Sequence, residues 1–379
     1  MPLRVDMAFL FIGGVHQVAH LAPVAAEVSR RRPDLSVHCL CADAETAAAL
    51  DDVRRHMAAP ALMVTQVTIP WLDRLARRLR RRAAAKGPIL AAIRWRVRAA
   101  RLIVVPERTS AALRWLGWRR LLIHFRHGAG DRAPRSERRL TAFDLIVVPG
   151  DKDIDRAVGQ GINRARLRAA GYVKLDYVTM ARAAPPRLFA DDRPVVLYNP
   201  HFDPAQSSLG IARAVIARFA AQDRYNLVYA PHVRAAENLS AEERADWSAL
   251  AVPGRIIVDL GSPRLFDTSY AQAADLYLGD MSSQLYEFLA RPRPVAFVDA
   301  HGVDWQDDPR YAGWRLGEVA RGADDVLAAI DRAFAAQPGR AAQQAEAVAF
   351  AFGDYRGAIG RAADIVLEAL ADQAGHRLI

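Results

Sequence analysis

At 379 residues, 52% of them hydrophobic, the chain is long enough for two domains with complete cores. No run of about eighteen apolar residues occurs, which excludes an ordinary transmembrane helix. The net charge is +10, but residues 71–101 contain eleven Lys and Arg against one acid, so the rest of the chain is close to neutral. A local basic block without a nucleic-acid-binding motif predicts an anionic partner at that place and no nucleic acid partner.

The N-terminal segment begins with a short apolar run that ends at Gly13 and Gly14. It lacks a basic n-region and a cleavage site, so the run predicts a first strand and not a signal peptide. The glycines let the backbone turn tightly and approach a bound group closely. His16 and His20, four residues apart, could both lie on one face of the next predicted helix, either lining a pocket or on the helix surface. Without a carboxylate partner they do not make a metal site.

A strand over 36–40, a helix over 43–57 and a strand over 61–67 continue the pattern. This alternation predicts a parallel sheet covered by helices. Cys39 and Cys41 lie two apart on a predicted strand, where they point to one face and are poorly placed to bridge. We expect buried, reduced thiols and a cytoplasmic protein.

The basic block over 71–101 mixes arginines with leucines and tryptophans. An amphipathic basic helix with aromatic residues suits an anionic membrane surface, and a solvated pair of surface helices is the alternative. The first interpretation predicts peripheral binding to the inner face of the cytoplasmic membrane. Its contact residues would be Trp71, Arg77, Arg78, Arg80, Arg81, Arg82 and Trp95.

Further βα units follow to residue 176. The strand over 121–125 ends in a loop that contains His127 and Gly128, and loops at the carboxyl ends of parallel strands bind ligands. A helix is predicted over 164–169. The Pro-rich stretch over 181–187 is the best linker, which predicts domains 1–184 and 185–379. A second αβ series then runs to a helical tail from residue 324.

One stretch of the second half, residues 275–290, combines a buried strand, a polar turn and the start of a helix. Free amides at a helix start, the helix dipole and the hydroxyls of Ser282 and Ser283 make a site for phosphate or pyrophosphate. Asp280 would either cap the helix or hold a divalent ion such as Mg²⁺ that bridges phosphates. The sequence leaves both roles open.

Two doubly wound domains in tandem, with a cleft between them, describe an α/β fold of the GT-B type. Five short motifs also occur in the order and at the spacing of the CDP-glycerol glycerophosphotransferases, the polymerases and primases of teichoic acids. The chain resembles this family over roughly residues 120–370. The motifs are His127-Gly128, Gly171-Tyr-Val-Lys-Leu-Asp176, Leu197-Tyr-Asn-Pro200, Pro231-His232 and Gly279-Asp-Met-Ser-Ser283.

The resemblance implies transfer of a phosphoalcohol from a CDP-activated donor to a hydroxyl of a lipid-linked glycan or lipid, with release of CMP. It implies that His127 is the base and that Gly128 leaves room for the acceptor. His232, Ser282 and Ser283 would neutralise charge on the phosphates, and Glu287 would bind the ribose.

Two other functions stay open. The segment around Gly13 is also similar to other GT-B enzymes and to nucleotide-sugar 2-epimerases, which keeps a nucleotide-sugar glycosyltransferase or an epimerase-like enzyme possible. A non-catalytic nucleotide-binding scaffold of the same fold would bind nucleotide without turnover. The sequence does not indicate an oligomeric state.

Overall fold

The computed structural model describes residues 5–69, 86–128, 130–131, 137–181, 184–204, 207–236, 239–265, 267–280, 282 and 284–375. The chain divides into two compact units. Unit 1 comprises Met1–His127, Arg135–Ala181 and Phe350–Ile379, and unit 2 comprises Gly128–Pro134 and Arg182–Ala349. The crossing after Ala181 lies three residues before the boundary predicted at 184. The predicted second domain ran to residue 379, whereas residues 350–379 group with unit 1.

Unit 1 is built on a seven-stranded parallel sheet in the order β3-β2-β1-β4-β5-β6-β7. The strands β1 and β4, at its centre, are buried along their whole length because helices cover both faces. The strands are β1 Met7–Phe11, β2 Val37–Cys41, β3 Met63–Gln66, β4 Leu102–Val105, β5 Leu121–Phe125, β6 Leu145–Val148 and β7 Leu167–Ala169. The helices in its described residues are α1 Val18–Arg31, α2 Ala44–His56, α3 Lys86–Arg96, α4 Asp151–Gly159 and α5 Val173–Ala181.

Unit 2 repeats this plan with a six-stranded parallel sheet in the order β10-β9-β8-β11-β12-β13. Its strands are β8 Val195–Asn199, β9 Asn226–Tyr229, β10 Ile256–Val258, β11 Leu276–Gly279, β12 Val295–Asp299 and β13 Glu318–Arg321. Its helices are α6 Ala212–Ala220, α7 Ala241–Ser248, α8 Ser269–Ala273, α9 Gln284–Phe288 and α10 Val326–Phe352.

Each sheet has one point at which the strand order reverses. In unit 1 the point lies between β1 and β4, and in unit 2 it lies between β8 and β11. The connections leave the two central strands in opposite directions there, so a crevice opens beyond their carboxyl ends, and ligands of doubly wound sheets bind in such crevices. Ligand sites are therefore expected at the segments that follow these strands.

The chain ends on unit 1. Helix α10 ends at Phe352. The next residue, Gly353, has a φ of +60°, which favours glycine, and α11 (Ala358–Gly375) follows. The Asp176 carboxylate accepts hydrogen bonds from the backbone amides of Gly357 at 3.0 Å and Ile359 at 2.9 Å. Asp176, on α5, thereby caps the N-terminus of α11. The aspartate of the Gly171–Asp176 motif thus has a structural role.

The helix predicted over 164–169 is wrong. Arg164–Arg166 forms a single 3₁₀ turn, and Leu167–Ala169 is strand β7, which pairs with β6 at the edge of the sheet. Leu167 is fully buried while the next two residues are exposed. Backbone pairing with β6 thus outweighs the helical preference of the Arg and Ala residues.

Three other expectations can be compared with the described residues. Cys39 and Cys41 are both buried and free, as predicted. Of the basic block, α3 is described, whereas residues 70–85 lie outside the described part of the chain. Within that part, no helix has the length and apolarity needed to cross a membrane.

Candidate functional site

In unit 1, the turn after β1 is built around a carboxylate that follows β4. The Gln17 side chain accepts a hydrogen bond from the Gly13 amide at 3.2 Å and donates one to Glu107 Oε1 at 3.0 Å. A Cβ at Gly13 would lie 2.0 Å from Glu107 Oε1, so only glycine fits. Gly14 has a φ of +110°. Gly13 therefore permits a close contact within the protein itself, and Gly14 permits a backbone conformation that other residues rarely adopt.

Glu107 is the acidic centre of this crevice. Lys86 Nζ donates to its two oxygens at 2.7 and 2.8 Å, and the Thr109 hydroxyl donates at 2.8 Å. Burial alone would raise the pKa of Glu107, but these hydrogen bonds outweigh burial and lower it. The carboxylate is therefore ionised at neutral pH and adds negative charge beside the nearby histidines.

His127 follows β5 in the same crevice, and its ring has a defined tautomer. Its Nδ1 lies 2.7 Å from the Pro106 carbonyl oxygen. A carbonyl can only accept, so Nδ1 carries the proton and Nε2 carries the lone pair. Burial lowers the pKa of His127, and this effect outweighs the opposing effects of the Pro106 carbonyl and Glu107. His127 is thus a neutral imidazole at pH 7 whose Nε2 can accept a proton.

Two more histidines and a lysine surround His127. The ring centroids of His16 and His20 lie 6.1 and 5.9 Å from that of His127. Burial, and after it the charge of Lys174, which is 4% exposed, lower the pKa of His20 well below the usual value. The predicted residues Gly13, Gly14, His16 and His127 therefore meet at one end of one sheet.

The segment that carries His127 is held by buried ion pairs. Arg126 donates from Nη1 to Glu137 at 2.8 Å, and its Nε lies 3.0 Å from Asp153 Oδ1. Both acidic side chains are fully buried. The next residue after His127, Gly128, has a φ of +74°, which glycine adopts without strain. The ion pairs of Arg126 thereby hold the backbone on the N-terminal side of the imidazole.

In unit 2, Asp280 follows β11 and is 1% exposed. Its carboxylate accepts from the His201 amide at 2.9 Å and from the Ser208 amide at 3.1 Å. Burial raises the pKa of Asp280 to about 6, although these hydrogen bonds oppose the shift. The carboxylate therefore holds the segment after β8, and both oxygens bond backbone amides.

His232 follows β9 and joins this crevice. Its backbone amide donates to the Pro200 carbonyl at 2.9 Å, and its ring centroid lies 5.5 Å from that of His201. Its Nδ1 accepts a hydrogen bond from the Arg234 amide at 3.2 Å. In the neutral ring Nε2 therefore carries the proton. The Nε2 atom of His232 is thus a hydrogen-bond donor, whereas the Nε2 atom of His127 is an acceptor.

Beside His232 lies an aromatic and cationic pair. The Phe202 ring centroid is 4.8 Å from that of His232, and the Arg234 guanidinium lies 4.1 Å from the centre of the Phe202 ring. A cation at that distance is attracted by the ring quadrupole. The site predicted from the sequence did not include these three residues, Phe202, Arg234 and His201.

The predicted phosphate turn is described in part. Ser282 is 6% exposed, and its hydroxyl accepts a hydrogen bond from the Gln284 amide at 3.2 Å. Glu287 is 6% exposed on α9, a helix of five residues. Ser283 lies outside the described residues. Phosphate binding at this turn stays a prediction.

A preformed cluster of metal ligands is absent from the described residues. They contain no group of three or more His, Cys, Asp or Glu side chains placed to hold one. Asp280, the residue expected to bind Mg²⁺ if it did not cap the helix, uses both oxygens for backbone amides of unit 2. No step of the chemistry is therefore assigned to a metal.

The predicted membrane residues fall on the basic block. Trp95, on α3, is 50% exposed. Trp71 and the five arginines of positions 77–82 lie outside the described residues.

Glu107 is the residue of the site that sequence reasoning missed. It stands alone after a short apolar strand and belongs to no motif. The signal that could have found it is positional, because β1 and β4 flank the reversal of strand order and the residue after β4 must face the turn after β1.

Comparison with known proteins relates the fold to solved structures. No protein-family model and no curated protein matches the sequence. MnaA of S. aureus in complex with UDP matches with a TM-score of 0.67 at 13% identity, over 97% of each chain. The wall teichoic acid polymerase TagF, soaked with CDPG, matches with a TM-score of 0.60 at 14% identity, over 97% of this chain and 90% of that one.

A UDP-GlcNAc 2-epimerase from Neisseria meningitidis bound to UDP-GlcNAc matches with a TM-score of 0.57 at 11% identity. That match covers 97% of this chain and 100% of the other. At such identities the likeness shows the fold alone. The predicted fold class is confirmed: the chain has the α/β, GT-B type architecture of two doubly wound domains.

Proposed function

We propose that the chain is a transferase that moves a phosphoalcohol, such as glycerol phosphate, from a CDP-activated donor to a hydroxyl of a lipid-linked glycan or lipid. The observation that carries this proposal is the tautomer of His127, because a neutral imidazole with a free Nε2 lone pair is the base that such a transfer needs. The fold, shared with a polymerase whose structure was soaked with CDPG, supports a nucleotide-linked donor.

In the proposed step the acceptor hydroxyl attacks the β-phosphorus of the donor. His127 Nε2 takes the hydroxyl proton as the new O–P bond forms. The bond from the β-phosphorus to the bridging oxygen breaks, and CMP leaves with that oxygen and its electron pair. The nearby carboxylate of Glu107 stabilises the imidazolium that results.

On the donor side, charge builds up on the phosphates as the bond to CMP breaks. His232 carries its proton on Nε2 and can donate it as a hydrogen bond to a phosphate oxygen. Ser282, Ser283 and the amides around them are the further proposed donors, and Glu287 is the proposed partner of the ribose. Gly128 beside the base and His16 in the same crevice are proposed to line the acceptor site.

The second candidate is a nucleotide-sugar enzyme on the same fold, either a glycosyltransferase or a 2-epimerase. The matches to MnaA with UDP and to the epimerase with UDP-GlcNAc favour it to the same degree as TagF favours the first. In the glycosyltransferase, attack falls on the anomeric carbon of the sugar, and the β-phosphorus stays with the nucleotide. The third candidate, a non-catalytic scaffold, would bind nucleotide without turnover.

Calorimetric titration of the full chain separates the donors. The ligands are CDP-glycerol, CDP, UDP and UDP-GlcNAc, each with and without Mg²⁺. We expect the cytidine ligands to bind more tightly. Preference for the uridine ligands would replace the first proposal with the second, and a ligand that binds but is never turned over would favour the scaffold. An effect of Mg²⁺ on affinity would mean that the ion arrives with the nucleotide phosphates.

The role of His127 is tested by measuring turnover and donor affinity of the His127→Ala variant. We expect turnover to fall by about 100- to 10,000-fold while donor affinity is kept, because a general base contributes by that factor. His56→Ala is the matched control, since His56 is an exposed histidine on α2 of the same unit. Near wild-type turnover of His127→Ala would remove His127 from the mechanism.

A further inference from the structure

The turn that follows the 3₁₀ helix Arg108–Leu113 exposes a tryptophan that the proposed chemistry does not use. The Trp115 side chain is 91% exposed, and its neighbour Leu116 is 41% exposed. Trp118, three residues later, is 1% exposed and lies in the core of unit 1. A tryptophan exposed to this extent leaves a large apolar area in water, which favours a binding role.

This turn is held firmly by the protein beneath it. Arg114 donates to the Ala142 carbonyl at 2.9 Å, to the Trp118 carbonyl at 3.2 Å and to the Asp144 carboxylate at 2.5 Å. Gly117 has a φ of +83°, which completes the reversal between the exposed and the buried tryptophan. Trp115 therefore projects from a fixed position.

Helix α3 and the residues after it lie beside the turn. Arg94 donates to the Gly117 carbonyl at 3.4 Å, and its guanidinium lies 5.6 Å from the centre of the Trp118 ring. From the other side Arg120 donates to the Ala99 carbonyl at 2.6 Å. The two segments are thus adjacent, although about twenty residues separate them in the sequence.

Apolar and basic side chains predominate among the exposed residues here, and the exposed acid beside the turn, Asp144, is paired with Arg114. We call the set the Trp115 surface. Its members are Trp95, Arg98, Trp115, Leu116 and Arg119. Arg98 and Trp95 pair, with the guanidinium 5.9 Å from the ring centre. Residues 86–120 contain nine Lys and Arg and one acid, and that acid is bonded to Lys86.

We propose that the Trp115 surface docks on an anionic lipid bilayer, with its tryptophans and Leu116 in the interfacial layer and its arginines on the headgroups. Tryptophan prefers the membrane interface, and each basic residue near an anionic surface adds to the attraction. A second copy of the chain is a poor occupant, because a symmetric contact would bring together two surfaces of the same positive charge. The proposal rests on the proposed function only in that a lipid-borne acceptor needs such a surface.

The test is sedimentation of the full chain with vesicles, without donor or acceptor. We expect binding to vesicles of phosphatidylcholine with phosphatidylglycerol, little binding to phosphatidylcholine alone, and loss of binding at high salt. Trp115→Ala should weaken binding about tenfold, because a large apolar side chain leaves the interface. Arg98→Ala and Arg119→Ala should each weaken it about fivefold. Phe350→Ala, at an aromatic residue that is 46% exposed on α10, is the matched control and should bind as wild type.

Tryptophan fluorescence adds an independent signal. Emission should shift to shorter wavelength with the anionic vesicles, and Trp115→Ala should lose most of that shift. Unchanged binding by Trp115→Ala, equal binding to uncharged vesicles, or a lipid-free dimer that shields Trp115 would each overturn the proposal. Vesicle binding by a protein without cytidine-nucleotide binding would leave this inference standing and remove the proposed function.

Discussion

The buried carboxylate of Asp176 offers a prediction about how the chain end is attached to unit 1. Asp176 is 8% exposed, and its two oxygens accept from the Gly357 amide at 3.0 Å and the Ile359 amide at 2.9 Å. Asp176→Ala would leave both amides at the start of α11 without a partner, one of them in a buried bond. We expect α11 to detach from α5.

The magnitude follows from the two bonds. A hydrogen bond to a charged group contributes about 1.5–3 kcal/mol, and an unsatisfied buried donor costs a similar amount, so Asp176→Ala should lower the free energy of unfolding of unit 1 by about 3 kcal/mol or more. Asp176→Asn keeps one acceptor oxygen and should lose about half as much. Asp354→Ala is the matched control, because exposed Asp354 accepts one bond, from the Arg356 amide at 3.0 Å, and should cost about 0.5–1 kcal/mol.

Hydrogen exchange measured by mass spectrometry is the appropriate assay, because a chain of two units need not unfold in one transition. Peptides from α11 should lose protection in Asp176→Ala, and peptides from β8 and β11 in unit 2 should keep it. Protection of α11 equal to that in Asp354→Ala would refute the reasoning. The motif aspartate would then act in binding or chemistry and not as a cap.

Two further outcomes test the crevice of unit 1. A base must be deprotonated to act, so the acid limb of the pH profile of kcat/KM should lie below pH 6.5, where burial has lowered the pKa of His127. Glu107→Gln removes a negative charge that raises this pKa, so the limb should move to lower pH, and a move to higher pH would contradict the assignment. Gly13→Ala, whose Cβ would lie 2.0 Å from Glu107 Oε1, should lower the free energy of unfolding by about 1–3 kcal/mol. Gly87→Ala, in open space in the first turn of α3, should raise it by up to about 1 kcal/mol in a urea titration, because alanine favours a helix over glycine; equal effects of the two substitutions would show that the close contact at Gly13 is relaxed without cost.

The sheets could be predicted from sequence because their strands are buried on both faces. The apolar runs at β1, β4 and β11 are continuous, and a continuous run bounded by turn residues has few alternatives. β7 shows the limit. Only one of its three residues, a leucine, is buried. Its secondary structure is therefore decided by pairing with β6, which lies about twenty residues earlier in the sequence.

The return of the chain end to unit 1 could not be predicted for a related reason. Helical periodicity marks residues 326–375 as helices, but it does not say which sheet they cover. Gly353 with its positive φ, and the cap that Asp176 provides for α11, decide where the last helix packs. One is a local conformation and the other a contact over 181 residues, and neither leaves a pattern in the sequence.

The protonation of the two proposed catalytic histidines shows what structure adds to a motif. Transfer to a hydroxyl needs one group that accepts a proton and others that donate hydrogen bonds to phosphate. The partner of His127 Nδ1 is a carbonyl 21 residues away in the sequence, so its Nε2 accepts. The partner of His232 Nδ1 is an amide two residues away, so its Nε2 donates. A motif records only that histidine is present, whereas the backbone group opposite each ring decides its role.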